Sequence, residues 1–84
     1  MSTPECPPNN ICFYAGPDFG PPVQSYEAPV DSCVNLPFPA RSYANNSNDA
    51  LLGYMELDCA GEGLQIDSSD PDLGAPLLSF GPAS

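Results

Sequence analysis

Four cysteines, Cys6, Cys12, Cys33 and Cys59, are the residues of this sequence with the clearest chemical use. None of them belongs to a CxxC pair, and the sequence contains no histidine. Structural zinc sites are built mostly from such pairs and from histidines, so a zinc site is not expected. The cysteines instead predict two disulfides in an oxidising compartment, with three pairings open from the count alone.

Catalytic chemistry has few groups to work with. The sequence has no histidine and no lysine, and disulfide-bonded cysteines supply no thiolate. General acid–base catalysis would then require paired carboxylates, and none stands out from ordinary surface charge. We therefore expect a protein that is not an enzyme, with no catalytic residues and no cofactor.

The charge of the chain is strongly one-sided. Eleven Asp and Glu stand against a single basic residue, Arg41, for a formal net charge of −10. Such a surface repels phosphate groups, so neither nucleic acid nor an anionic membrane is an expected partner. No apolar run approaches the roughly 20 residues that a membrane-spanning helix needs.

The acidic residues also raise the question of a metal site. Asp67, Asp70 and Asp72 lie close together in one polar stretch. Calcium requires six to eight oxygen ligands, and a solvated polar loop is the better interpretation of this cluster. No metal is expected.

The location of the protein is inferred from the disulfides. The first residues show neither the charged nor the apolar region of a signal peptide. We expect a secreted protein whose sequence here begins at the mature terminus, with Met1 added.

The elements that must position these residues are short strands. A chain of 84 residues is expected to form one domain, 1–84, and its twelve prolines exclude any long helix. Apolar and β-branched runs bounded by turn residues predict an all-β sandwich or barrel. The predicted strands cover 11–14, 23–26, 33–36, 41–44, 63–66 and 77–80, with 50–56 either extended or briefly helical.

The two halves of the chain look like imperfect copies. Tyr54 follows Tyr14 by 40 residues, and the phrase 80–84 resembles the phrase 38–42. This alignment predicts two extra residues in the second half, within its acidic loop. Arg41 lies at the joint between the halves, where we expect it to be buried or half-buried in a structural ion pair or carbonyl contact.

Each half contains an aromatic hairpin pattern. In the first half Tyr14 is followed by Phe19 and Gly20, and in the second Tyr54 is followed by Cys59 and Ala60. The pattern resembles the aromatic hairpin of βγ-crystallin Greek keys, in which the first ring lies over the turn. This resemblance implies Greek keys at about 11–46 and 50–84 in one sandwich, with Tyr14 and Tyr54 in structural roles.

A narrower resemblance is to the Streptomyces metalloproteinase inhibitor family. It is carried by Cys6-Pro7, by Cys12-Phe13-Tyr14, by Leu36-Pro37 and by the phrase 40–45 with Ser47. Members of that family are secreted, crystallin-like peptidase inhibitors. The resemblance implies a secreted, thermolysin-like protease as the partner, and we expect the chain to be a monomer.

The resemblance also bears on the disulfides and the inhibitory loop. Its opening motif, together with proximity, implies Cys6–Cys12, which leaves Cys33–Cys59 as the second pair. The family presents its inhibitory loop in the second half, which here corresponds to Leu57, Asp58, Cys59, Ala60, Gly61 and Glu62. Because this loop is shorter than the family's, the alternative is a crystallin-type structural, interaction or stress-protective module without inhibitory activity.

Overall fold

A computed structural model describes residues 6–28, 30–47, 50–66 and 69–83, and the chain in these ranges is built almost wholly from strands. The strands are β1 (Asn10–Gly16), β2 (Gly20–Glu27), β3 (Val34–Ala40), β4 (Ser42–Asn46), β5 (Leu51–Tyr54), β6 (Leu64–Ile66), β7 (Ser69–Asp70) and β8 (Leu77–Pro82). A single 3-10 turn, Leu57–Cys59, follows β5. In the described ranges no helix is long and apolar enough to cross a membrane.

The strands form two four-stranded antiparallel sheets that exchange one strand each. The first sheet has the order β2-β1-β4-β7 and the second has the order β3-β8-β5-β6. Strand β3 of the first half therefore pairs in the second sheet, and β7 of the second half pairs in the first sheet. This exchange between two four-strand units makes the fold a βγ-crystallin-like sandwich of two Greek keys, as the sequence predicts.

The core lies between the sheets and is centred on aromatic rings. Phe13 of β1 and Phe80 of β8 are fully buried, with ring centroids 4.7 Å apart. The ring of Tyr26 packs 5.0 Å from Phe80, and burial raises the pKa of its hydroxyl above the usual value. The remaining buried core is mainly aliphatic: Ile11, Leu36, Ala40, Leu51, Ile66, Leu73 and Leu77, with Tyr43.

Strand β1 is covered on its outer face as well. Cys12 and Tyr14 point away from the core, yet both are buried, because Cys6 and Phe19 pack over them. The structure joins Cys6 to Cys12, and the side-chain amide of Asn46 donates to the carbonyl of Cys6 at 2.7 Å. The N-terminal arm is thereby fastened across the first sheet, which explains why β1 is a continuous apolar run rather than an alternating one.

The acidic stretch of the second half is partly a strand. Ser69 and Asp70 form β7 and pair with β4, whereas Asp67 lies outside the described residues. The backbone N–H of Asp72 donates to Oδ1 of Asp70 at 3.0 Å, closing a local turn. The prediction of a plain polar loop is therefore wrong at Ser69 and Asp70, where backbone pairing with β4 overrides the polar composition.

Arg41 has a different environment from the predicted one. Its side chain is exposed, so the prediction of a buried or half-buried arginine is wrong. Arg41 stands at the bend where the chain passes from β3 in the second sheet to β4 in the first, and its side chain leaves this corner toward solvent although Ala40 and Ser42 are both fully buried. The structural role belongs to the backbone: the N–H of Arg41 donates to Tyr14, and its carbonyl accepts from Leu73.

Gly53 is required by the packing of β5 against β8. A Cβ at this position would stand 2.7 Å from Cδ1 of the fully buried Leu77 and 3.4 Å from Cδ1 of Ile66. Overpacking of this kind costs about 1–3 kcal/mol, so Gly53→Ala should lower the free energy of unfolding by that amount.

Urea unfolding followed by far-UV circular dichroism measures this effect. Gly74→Ala is the matched control, since no atom lies within 4 Å of the added methyl group, and its effect should stay within about 0.5 kcal/mol. Equal midpoints for the two variants would contradict the packing described for β5.

Candidate functional site

The segment between β5 and β6 is an exposed turn with an unusual backbone. Asp58 and Cys59 have φ of 62° and 54°, and Gly61 has φ of 85°. Two consecutive non-glycine residues in the left-handed region are rare, since each is disfavoured for L-residues. Such a turn persists only where its surroundings hold it, and the structure shows three attachments.

The first attachment is a buried serine. Ser79 of β8 is fully buried, and its Oγ accepts a hydrogen bond from the backbone N–H of Cys59 at 2.9 Å. The same hydroxyl donates to the carbonyl of Glu56. Both ends of the 3-10 turn are therefore bonded to one side chain in the neighbouring strand.

The second attachment is covalent. Cys59 is joined to Cys33, which precedes β3 and belongs to the first Greek key, with the two Cα atoms 6.0 Å apart. A Cβ placed on Gly81 would lie 3.4 Å from Sγ of Cys59, so the backbone of β8 runs directly against the disulfide. The bond therefore ties the turn to the opposite half of the chain.

The third attachment is a pair of hydrogen bonds from β3. The side-chain amide of Asn35 donates to Oδ1 of Asp58 at 3.1 Å, and the backbone N–H of Asp58 donates to Oδ1 of Asn35 at 2.7 Å. Asp58 is thus held by Asn35, and Cys59 is held by the disulfide and by Ser79. Sequence reasoning did not identify Asn35, because its contact depends on the strand exchange that brings β3 beside the second hairpin.

Apolar side chains project from this region into solvent. Among the described residues the exposed large apolar side chains are Val23, Met55, Leu57 and Leu64, and three of these four lie between 55 and 64. Leu57 stands at the start of the turn with 52% of its surface exposed. The segment 55–64 therefore carries most of the exposed large apolar side chains of the described residues, on a backbone that is held in place.

Carboxylates lie among these apolar groups. Glu56, Asp58 and Glu62 are exposed, and the sequence after Arg41 contains no basic residue. A Cβ on Gly61 would stand 3.3 Å from Oε2 of Glu56, so this carboxylate lies across the turn. No group of three or more His, Cys, Asp or Glu in the described ranges could hold a metal ion.

The first hairpin repeats the same backbone geometry. Asp18 and Phe19 have φ of 55° and 61°, and the N–H of Phe19 donates to Oγ of the buried Ser42 at 3.1 Å. That hydroxyl donates to the carbonyl of Gly16 at 2.8 Å. The ring of Phe19 meets the ring of Tyr14 edge-on at 5.4 Å, which is the ring-over-turn contact expected of the hairpin.

This correspondence corrects the alignment of the two halves. The residue equivalent to Ser42 is Ser79, not Ser84, since Ser42 and Ser79 make the same two bonds to equivalent turns. The second half is accordingly shorter than the first, and the prediction that it is longer is wrong. The repeated Phe–Pro–Ala phrase misled the alignment, because Phe80 follows the serine whereas Phe38 precedes it.

The structure therefore brings the predicted loop residues, 57–62, into one tethered turn. Tyr54 is half-buried at its base, with Cε2 of its ring 3.1 Å from a Cβ placed on Gly63. Sequence reasoning missed Asn35, Ser79 and the exposed Met55. In the last predicted strand of each half a serine precedes an aromatic residue, and this pattern could have identified the two buried serines, Ser42 and Ser79. No local signal marks Asn35.

Comparison with solved structures supports the fold. The crystal structure of Abundant Perithecial Protein from Neurospora crassa superposes with a TM-score of 0.66 at 20% sequence identity. The match covers 93% of this chain and 40% of that one, so the present chain spans less than half of the length of its structural relative. At this identity the likeness concerns the fold alone. No curated protein matches the sequence.

Comparison with protein families is more specific. The model of peptidase inhibitor family I36 matches residues 1–66. The matched range contains both disulfides, Asn35 and the whole of the turn 57–62. An inhibitor of this kind has a protease as its partner and performs no catalysis. The chain belongs to peptidase inhibitor family I36.

Proposed function

We propose that the chain inhibits a secreted metallopeptidase by placing the turn 57–62 in the substrate cleft of that enzyme. The observation that carries the proposal is the attachment of one exposed turn at three points, through Cys33, Asn35 and Ser79. In the described part of the chain this turn also lies within the segment richest in exposed large apolar side chains.

The attachments matter because association orders whatever is mobile. A loop that is already held in its bound conformation loses little further conformational entropy on binding. Asp58 and Cys59 would rarely adopt left-handed conformations in a free peptide, so the disulfide and hydrogen bonds maintain a shape that the sequence alone would not. Rigidity of this kind favours slow dissociation from the protease.

Two residues of the turn are the candidates for the subsites of the enzyme. Leu57 is half exposed and can insert an apolar side chain into a pocket without disturbing the core. Ala60 is exposed, and its extended backbone, with φ −89° and ψ 150°, suits a small apolar subsite. The resemblance to Streptomyces metalloproteinase inhibitors supports a thermolysin-like enzyme as the target.

The two disulfides support an extracellular site of action. Two disulfides in so short a chain are typical of proteins that act outside the cell, where proteases of this class are also secreted. We propose that the chain acts there as a monomer, with one inhibitory turn for each enzyme molecule.

The first test is a panel of purified peptidases. A thermolysin-like metallopeptidase should be inhibited with one-to-one stoichiometry at or below micromolar inhibitor, and the complex should persist on gel filtration. A trypsin-like and a subtilisin-like serine peptidase serve as comparison enzymes. An absence of metallopeptidase inhibition by correctly folded protein would overturn the proposal in favour of a non-inhibitory crystallin-type module.

The second test concerns the apolar contact. Leu57→Ala should raise the inhibition constant at least about tenfold, since truncation of a side chain that anchors an interface costs about 2 kcal/mol or more and tenfold corresponds to about 1.4 kcal/mol. The unfolding midpoint should change little, because this side chain is half exposed in the free protein.

Pro17→Ala is the matched control for this variant. Pro17 occupies the equivalent position, one residue before Asp18, in the first hairpin, and its side chain is exposed. Its truncation should leave the inhibition constant unchanged. Equal inhibition by the two variants and the unsubstituted protein would contradict the role of Leu57.

A further inference from the structure

We propose that Asn35 is a positioning residue for inhibition, a role that rests on the proposed function of the turn. Asn35 lies on β3 of the first Greek key, whereas the turn belongs to the second. Its side-chain amide makes both hydrogen bonds to Asp58, one with the backbone and one with the carboxylate. One side chain thus fixes both the backbone and the side chain of a residue in the left-handed region.

Comparison of the two hairpins shows what Asn35 replaces. In the first hairpin the N–H of Asp18 donates to a backbone carbonyl, that of Pro71, at 2.7 Å. In the second hairpin the equivalent N–H, that of Asp58, donates to the side chain of Asn35 at the same distance. The second turn therefore depends on the identity of a side chain, and the first does not.

The chemistry of asparagine suits this position. Its side chain carries one acceptor and one donor at the same end, which match the N–H and the carboxylate of Asp58. Aspartate would place a second carboxylate against the first, and alanine would make neither bond.

Asn35 acts beside the disulfide. Cys33 and Asn35 are two residues apart where β3 begins, a spacing that places both side chains on one face of extended chain. Cys33 holds Cys59, and Asn35 holds Asp58, the residue directly after Leu57. Cys33 and Asn35 together therefore fix the direction in which the side chain of Leu57 points. Of the two attachments, the one from Asn35 is closer to Leu57, because it holds the adjacent residue Asp58.

The test compares Asn35→Ala with a matched asparagine. Asn46→Ala removes another exposed asparagine whose amide bonds to the backbone, here the carbonyl of Cys6, on the first sheet. Asn35→Ala should weaken inhibition of a thermolysin-like peptidase about tenfold, the effect expected from losing one or two hydrogen bonds that hold the binding conformation. Asn46→Ala should leave the inhibition constant unchanged, and its urea unfolding midpoint should be similar to that of Asn35→Ala.

Two further measurements separate positioning from general stability. Amide hydrogen exchange at Asp58 should accelerate in Asn35→Ala and remain unchanged in Asn46→Ala. The exchanged pair Asn35→Asp with Asp58→Asn should restore inhibition, because the new carboxylate can accept from both the backbone N–H and the new side-chain amide. Asn35→Asp alone should inhibit weakly.

The outcomes distinguish this inference from the proposed function. If the unsubstituted protein inhibits and Asn35→Ala inhibits equally well, the positioning role is overturned while the proposed function stands. Failure of the exchanged pair to recover inhibition, or equal losses in Asn35→Ala and Asn46→Ala, would also overturn it. If the unsubstituted protein inhibits no metallopeptidase, the proposed function fails and the positioning role fails with it.

Discussion

The disulfide between Cys33 and Cys59 is the constraint on which the exposed turn depends. It closes a separation of 26 residues between the two Greek keys, which in the loop-entropy account contributes about 3 kcal/mol to stability. In the first hairpin the corresponding position is filled by Phe19, whose ring packs on Tyr14. The second hairpin has a covalent bond where the first has an aromatic contact. Leu57, at the start of the disulfide-held turn, is half exposed.

The two hairpins show how one backbone design supports different surfaces. Both contain a left-handed pair, and both are bonded to a buried serine, Ser42 or Ser79. The first turn closes against the backbone of Pro71 and contributes to the scaffold. The second turn is held by side chains of the other Greek key. The two copies thus share a backbone geometry and differ in the groups that hold it.

Much of the fold could be predicted from the sequence because it is set by local patterns. Short apolar runs separated by proline and glycine predict six of the eight strands that the described residues form and leave β5 either extended or helical, and the aromatic hairpins indicate the Greek keys. Strand β7 was missed because its two polar residues form a strand only through pairing with β4. The small neighbours of Arg41 predict a buried side chain, whereas the residue stands at the exposed bend where the chain passes from β3 in the second sheet to β4 in the first. The turn could be located from its cysteine and from the family resemblance. Asn35 could not, because a contact created by strand exchange has no local signature.

Disulfide mapping of the unreduced, alkylated protein tests most directly whether the first Greek key holds the turn. The chain has one tryptic site, Arg41, and cleavage after glutamate separates 6–27, 28–41 and 57–62 from the rest. Mass spectrometry after both digestions should find 28–41 joined to 57–62, and 6–27 carrying an internal disulfide. Reduction should then release 57–62 from 28–41. A bond between 6–27 and 57–62, or an alkylated Cys33 or Cys59, would contradict the claim that the first Greek key holds the turn.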